Sequence, residues 1–136
     1  MSIPLTLLGL LERGPSHGYD LKRDYDAYFG QGRPLRYSQV YATLSRLARD
    51  GKAVAGPVEQ EAGPERRRYV ITADGYLDAQ RAAHLQRMRE LTDMKKAGDP
   101  VGVLLADHSL YRLEADLRWI DHTAARLDLL ARSVRR

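Results

Sequence analysis

From Leu110 to Val134 the apolar residues Leu110, Leu113, Leu117, Ile120, Ala124, Leu127, Ala131 and Val134 recur at alternating steps of three and four. A seven-residue repeat sustained over four heptads draws a single apolar seam along a helix, of the kind two coiled helices share. Val103 and Ala106 carry the register further back, and the small Ala124 and Ala131 allow a neighbour to approach closely. Such a helix needs a second helix along its seam, from the same chain or from another subunit. With 136 residues in all, what remains is enough for one small domain carrying a long helical appendage.

The segment from Tyr37 to Lys52 carries a different pattern. Val40, Leu44 and Leu47 form one apolar stripe at helical spacing, whereas Gln39, Ala42, Arg46 and Arg49 fall on another. Ser38 is the expected N-cap and Gly51 the expected stop, bounding about three turns. One side suits a small core. The other offers Gln and Arg, whose donor geometry matches base edges and phosphates. Tyr37 and Tyr41 flank that face, and Ser38 and Ser45 complete the candidate DNA-contacting set on this helix. An ordinary amphipathic surface helix would look the same in isolation, so its neighbours decide.

Before it, Pro4 opens a helix with Leu5, Leu8 and Leu11 on one face, stopped by Gly14-Pro15. Ser16 is expected to cap a second helix whose apolar positions are Leu21, Tyr25, Tyr28 and Phe29. After it, residues 52–58 read as a weak strand that Gly56-Pro57 confines to an edge. A turn at 62–65 leads into Arg66-Arg67-Arg68-Tyr69-Val70-Ile71-Thr72, a β-branched and aromatic strand. Strand alternation sends Arg66 and Arg68 to one face and Arg67 to the other with Tyr69, so the hairpin presents arginine to a phosphate backbone. Three short helices and a hairpin are the order of a winged helix-turn-helix. The expected architecture is mainly α with a small β-hairpin wing. Residues 1–75 form the DNA-binding domain, and residues 76–136 form C-terminal helices for dimerisation and effector binding, broken at Gly98-Asp99-Pro100.

Charge and composition narrow the function. The net charge of +4 leans weakly toward an anionic partner, and the excess is local. Residues 33–52 carry Arg33, Arg36, Arg46, Arg49 and Lys52 against Asp50 alone. The absence of cysteine excludes disulfides, thiolate catalysis and zinc-finger ligation. His17, His84, His108 and His122 form no i, i+4 pair, so neither a metal nor another cofactor is expected. No nucleophile elbow, phosphate-cradling glycine loop or paired carboxylates point to an enzyme. No run approaches a membrane span, and the N-terminus lacks the basic start of a secretory signal, so a cytoplasmic protein is expected.

Three segments together resemble the PadR family of bacterial transcriptional regulators. They are His17-Gly18-Tyr19, then Val40-Tyr41-Ala42-Thr43-Leu44-Ser45-Arg46-Leu47 with Asp50-Gly51, and Tyr69-Val70-Ile71-Thr72-Ala73-Asp74-Gly75. Leu113 to Asp121 is similar to the last helix of longer family members. The resemblance implies a homodimer with one winged reader per subunit, joined by the C-terminal helices, and often a repressor released by a small aromatic molecule. Ala42 stands where the family usually has proline, and the segment between wing and final helices is shorter than in long members. On this basis the expected partners are double-stranded DNA carrying an inverted-repeat operator, a second copy of the chain, and a small aromatic effector. Leu110, Leu113, Leu117, Ile120, Ala124 and Leu127 are expected at the subunit seam, and Trp119, beside that seam, at the effector site. The alternative is a protein-interaction module that keeps the winged fold, recruits a partner by its coiled coil and does not read DNA.

Overall fold

The structure, a computed structural model, describes residues 2–30, 32–59 and 66–134. It is mainly helical, with one small antiparallel sheet, and divides into two compact units, residues 1–79 and 80–136. The first contains helices α1 (Ile3–Leu11), α2 (Gly18–Tyr28) and α3 (Tyr37–Arg49). Its strands are β1 (Ser16–His17), β2 (Ala53–Ala55) and β3 (Arg68–Ile71). The long helix α4 (Ala73–Ala97) starts in the first unit and runs into the second, and α5 (Pro100–Val134) follows.

Helix α1 begins with Ser2 as N-cap, its hydroxyl accepting the Leu5 amide, and Pro4 occupies the first turn, where a missing N–H costs nothing. The stripe expected there, Leu5, Leu8 and Leu11, is only part of what this helix buries, since Leu7 and Leu10 are buried as well. These leucines meet Leu21 of α2, Val40, Leu44 and Leu47 of α3, Ala53, Tyr69 and Ala79 in one core. Removing each large side chain from water contributes about 1.5–3 kcal/mol, and this core holds α3 in place.

The sheet order is β1-β3-β2, with both pairings antiparallel. Strand β2 is an edge strand, in line with its Gly-Pro ending, while β3 lies in the middle. Two backbone bonds, Gly56 N–H to Arg68 O and Glu59 N–H to Arg66 O (both 2.7 Å), continue the pairing toward the tip. The turn at 62–65 lies outside the described residues.

Three local expectations are corrected. Ser16 belongs to β1, and the N-cap of α2 is His17. Strand β1 exists because Ser16 and His17 pair with Tyr69 and Arg68. Ser38 lies inside α3, whose N-cap is Arg36. Of the apolar positions assigned to α2, Leu21 is buried and Tyr25 half-buried, but Tyr28 and Phe29 are exposed. On α4, Leu77 and Leu91 are buried, whereas Met94 is exposed.

In the second unit, Asp99 caps α5 by accepting the Gly102 amide at 2.6 Å. Three cross-helix ion pairs, Arg81–Asp121 (2.9 Å), His84–Asp116 (3.5 Å) and Lys95–Asp107, show α4 and α5 running antiparallel.

Candidate nucleic-acid interface

All eight candidate residues on α3 face solvent: Tyr37, Ser38, Gln39, Tyr41, Ala42, Ser45, Arg46 and Arg49. On the opposite side Val40, Thr43, Leu44 and Leu47 are buried. Thr43 is tolerated there because its hydroxyl donates to the Gln39 carbonyl at 2.7 Å. Arg49 Nε lies 3.4 Å from Asp50, and among the described residues Arg46 has no carboxylate partner. An unneutralised guanidinium on an exposed helix face can fork onto a guanine edge or a phosphate without breaking an existing ion pair.

The start of α3 is held by residues that no sequence motif marks. Asp26, near the end of α2, accepts the Leu35 amide at 2.9 Å and pairs with Lys22 one turn earlier. The Lys22 hydrogen bond, with the Leu35 amide, keeps the Asp26 carboxyl below its ordinary value against the opposing effect of burial. Lys22 Nζ also sits 4.9 Å from the centre of the Tyr37 ring, and Tyr37 stacks on Tyr19 with ring centres 6.1 Å apart. Because Asp26 fixes the chain at Leu35, the N-cap falls at Arg36, two residues before Ser38. Tyr41 is placed by a glycine: a Cβ on Gly18 would stand 2.7 Å from Tyr41 Cε1, so only glycine lets that ring lie against the start of α2.

The wing follows the expected alternation. Arg66, Arg68 and Val70 are exposed, Tyr69 is buried, and Arg67 is half-buried on the Tyr69 side. Arg66 and Arg68 are therefore the better placed for a phosphate. Glu59 ties this strand to the first: its carboxylate accepts from His17 Nε2 at 2.7 Å and lies 3.4 Å from Arg68 Nε. The His17 hydrogen bond, helped by the charges of Arg68 and Arg66, holds Glu59 below the usual carboxylate range.

After α3 the chain turns at Gly51, with φ of 76°, a conformation glycine adopts without strain. The Thr72 hydroxyl donates to the Gly51 carbonyl (2.7 Å) and accepts the Gly75 amide (3.0 Å), capping α4 against this turn. Lys52 Nζ reaches Asp74 at 2.7 Å and Asp78 at 2.9 Å. Burial lowers its pKa, but the two carboxylates outweigh that and leave it raised. The Asp50-Gly51-Lys52 and Thr72-to-Asp78 segments thus form a single joint.

In the second unit the ion-pairing residues Asp107, Asp116 and Asp121 flank the heptad stripe of α5, which places that stripe toward α4. Ala106 and Ile120 are buried, Leu110, Leu113, Leu117 and Leu127 half-buried, and Ala124 exposed. Of the two origins left open for the partner helix, the same chain supplies one. Trp119 is exposed.

Among the described residues no helix is long and apolar enough to cross a membrane, and no cluster of three metal-ligating side chains occurs.

Residues 7–81, more than half of the chain, match the transcriptional regulator PadR-like family. The chain belongs to that family. It is accordingly a PadR-like transcriptional regulator, and the matched stretch spans α3, the strands β2 and β3 and the joint that follows them.

Two solved structures of transcriptional regulators share the fold. A PadR-like regulator from Bacillus cereus is 17% identical, with a TM-score of 0.57 over 71% of this chain and 93% of that one. A transcriptional regulator from Clostridium thermocellum is 19% identical, with a TM-score of 0.56 over 70% and 89%. Bacillus subtilis PadR, solved with operator DNA and with p-coumaric acid, is 18% identical, with TM-scores of 0.47 and 0.39. The operator complex aligns over 90% of this chain and 97% of that one, the p-coumaric acid complex over 92% and 99%. No curated protein sequence matches this PadR-like chain.

Proposed function

We propose that this PadR-like regulator is a dimeric, sequence-specific repressor that reads an inverted-repeat operator and lets go when a small aromatic molecule binds. The observation that carries the DNA reading is the face of α3. Gln39, Ala42, Arg46 and Arg49 are exposed along one side while Val40, Leu44 and Leu47 are anchored on the other. Arg66 and Arg68 on the wing add positive charge in the same unit. Arg46 and Gln39 read base edges in the major groove, and the wing arginines hold the backbone. Two readers in one dimer require half-sites about one helical turn apart, or a multiple of it.

The test is a gel shift on DNA flanking the protein's own gene, at two salt concentrations, beside random DNA. Arg46→Ala loses about 1–3 kcal/mol on the specific site and relaxes discrimination at one base pair. If Arg46→Ala binds operator and random DNA as the wild type does, α3 does not read sequence.

The aromatic release rests on Trp119, the single tryptophan, exposed on a helix with a flat face and one N–H to offer a planar guest. Such a ligand weakens operator binding only if it prefers one of two arrangements of the dimer. Phenolic compounds are expected to quench Trp119 emission and reduce operator occupancy in the same concentration range. A Trp119→Phe variant that keeps the full response would remove this residue from the effector site.

A further inference from the structure

The carboxylate of Glu59 stands between two basic side chains of the wing and its neighbouring strand. One oxygen accepts from His17 Nε2 at 2.7 Å, and the other lies 3.4 Å from Arg68 Nε. The His17 side chain is 16% exposed, whereas that of Arg68 is 58% exposed and able to turn outward. On its other side the imidazole meets a second acid, with Nδ1 3.7 Å from Asp20 in the first turn of α2. Arg23 lies 3.3 Å from Asp20, and Asp24 and Arg13 continue this chain of alternating charges to the end of α1. Among the described residues, the charged groups around His17 are therefore Asp20 and Arg23 on α2, Arg68 on β3, and Glu59. Arg66 lies beyond and acts on Glu59 through its charge.

A neutral imidazole has one N–H, so it can donate to only one of the two carboxylates that face it. The imidazolium donates to both. The amide dipoles at the start of α2, where His17 is the N-cap, oppose a cation there. Asp20 and Glu59 favour one, and so does any phosphate brought to the wing. Glu59 is held below the usual carboxylate range, first by the His17 hydrogen bond, so it keeps its charge near neutrality. A guanidinium that turns from Glu59 to a phosphate leaves that charge to His17 alone, and only the imidazolium neutralises it.

We infer that Arg68 and His17 compete for Glu59, so that DNA binding by the wing is accompanied by proton uptake on His17 and affinity rises as pH falls. The proton comes from solvent onto the ring nitrogen that lacks one, and no other covalent bond changes. His17 is thus a positioning residue: it draws the acid away from the arginine that meets the backbone. Because a proton is held more tightly in the complex than in the free protein, reciprocity makes DNA bind more tightly where protons are abundant. This rests on the DNA reading proposed above.

The test is fluorescence anisotropy at pH 6 and pH 8, at one ionic strength, with a random duplex and with DNA flanking the protein's own gene. Both are used because a phosphate contact carries no sequence information. The wild type is expected to bind both about tenfold more tightly at pH 6, within the range where an imidazole changes charge. Glu59→Gln removes the contested charge, so at pH 8 it should bind as tightly as the wild type does at pH 6, with little further change. His17→Gln keeps an N–H donor but does not titrate, so it should stay at the weaker alkaline level at both pH values. His84, His108 and His122 are present in every variant and supply the background. The gain from Glu59→Gln should vanish when Arg68→Ala is added. Circular dichroism confirms folding, and if His17→Gln is unfolded, Glu59→Gln at its exposed position carries the comparison. Equal wild-type affinity at the two pH values overturns the inference, as does a Glu59→Gln variant that keeps the full pH dependence. Equal gains with and without Arg68 also overturn it, since the carboxylate then acts only by repelling DNA. A wild type that binds no DNA at either pH refutes the proposed function itself, whereas binding that ignores pH refutes this inference alone.

Discussion

Adding one methyl group at residue 75 probes the joint between α3 and α4. A Cβ on Gly75 would stand 2.0 Å from the Lys52 carbonyl oxygen, 2.9 Å from its carbon and 3.1 Å from Ile71 Cγ1. The first two atoms are backbone and cannot rotate aside, so the start of α4 has to retreat by roughly 1 Å or more to restore ordinary contact. That retreat stretches the Thr72 amide bond to Lys52 O (3.1 Å), the Thr72 hydroxyl bond to Gly51 O (2.7 Å) and the Lys52 pairs with Asp74 and Asp78. Overpacking costs ~1–3 kcal/mol and one weakened hydrogen bond adds about 1 kcal/mol, while the better helix propensity of alanine returns at most ~1 kcal/mol. Gly75→Ala is thus expected to lose about 2 kcal/mol, and at roughly 4–8 °C per kcal/mol in a domain this small its melting point falls by roughly 8–16 °C. Gly9→Ala is the control. It sits within α1 with nothing near its added Cβ, so it gains ~0.5–1 kcal/mol. Thermal denaturation followed by circular dichroism measures both. If Gly75→Ala melts with the wild type, or if the two variants shift the same way, the close approach of Lys52 is not what the glycine serves.

Arg66→Ala should weaken binding to all DNA sequences alike and reduce the slope of log affinity against log salt by about one unit, whereas half-buried Arg67→Ala should leave that slope unchanged; filter binding across a salt series separates them. Asp26 is held below its ordinary value of 3.8, first by the Lys22 hydrogen bond, so its contribution to stability is complete above that value and disappears as pH falls through the lower native one. Urea unfolding of Asp26→Asn between pH 5 and pH 2 should therefore show a flatter acid limb than the wild type; equal slopes would refute the role of this carboxylate. Lys52 runs the other way: its pKa is raised, so its contribution is complete below 10.5 and is lost as pH rises beyond it. A Lys52→Met variant should lack that alkaline loss when unfolding is followed from pH 9 to pH 12.

The parts of the fold that local spacing determines were legible in the sequence. The stripes of α3, the edge character of β2 and the alternation of Arg66, Arg67 and Arg68 all appear as expected, because each depends on neighbours three, four or two residues away. What escaped depends on distant partners. Ser16 and His17 look like a helix start and become a strand only because Tyr69 and Arg68 pair with them. Ser38 has the chemistry of an N-cap, yet α3 starts earlier because Asp26 holds the Leu35 amide. Tyr28 and Phe29 sit at apolar positions of α2, but the core reaches only Leu21 and, in part, Tyr25. Asp26, Lys22 and Glu59 stand in the sequence as ordinary charged residues of a solvated surface, and nothing about their spacing announces their roles.

The pairing of His17 with Arg68 has a consequence for how the chain folds. It closes a loop of roughly fifty residues, at an entropic cost that grows only as the logarithm of its length but falls due before the sheet returns anything. The three short helices can form and meet quickly through contacts close in sequence, yet the wing cannot be anchored until β3 arrives between β1 and β2. Folding of the first unit should therefore be slower than that of a bare three-helix bundle of equal size. Disruption of the β1–β3 register would then appear in the refolding rate if that loop closes before the barrier, and in the unfolding rate if it closes after.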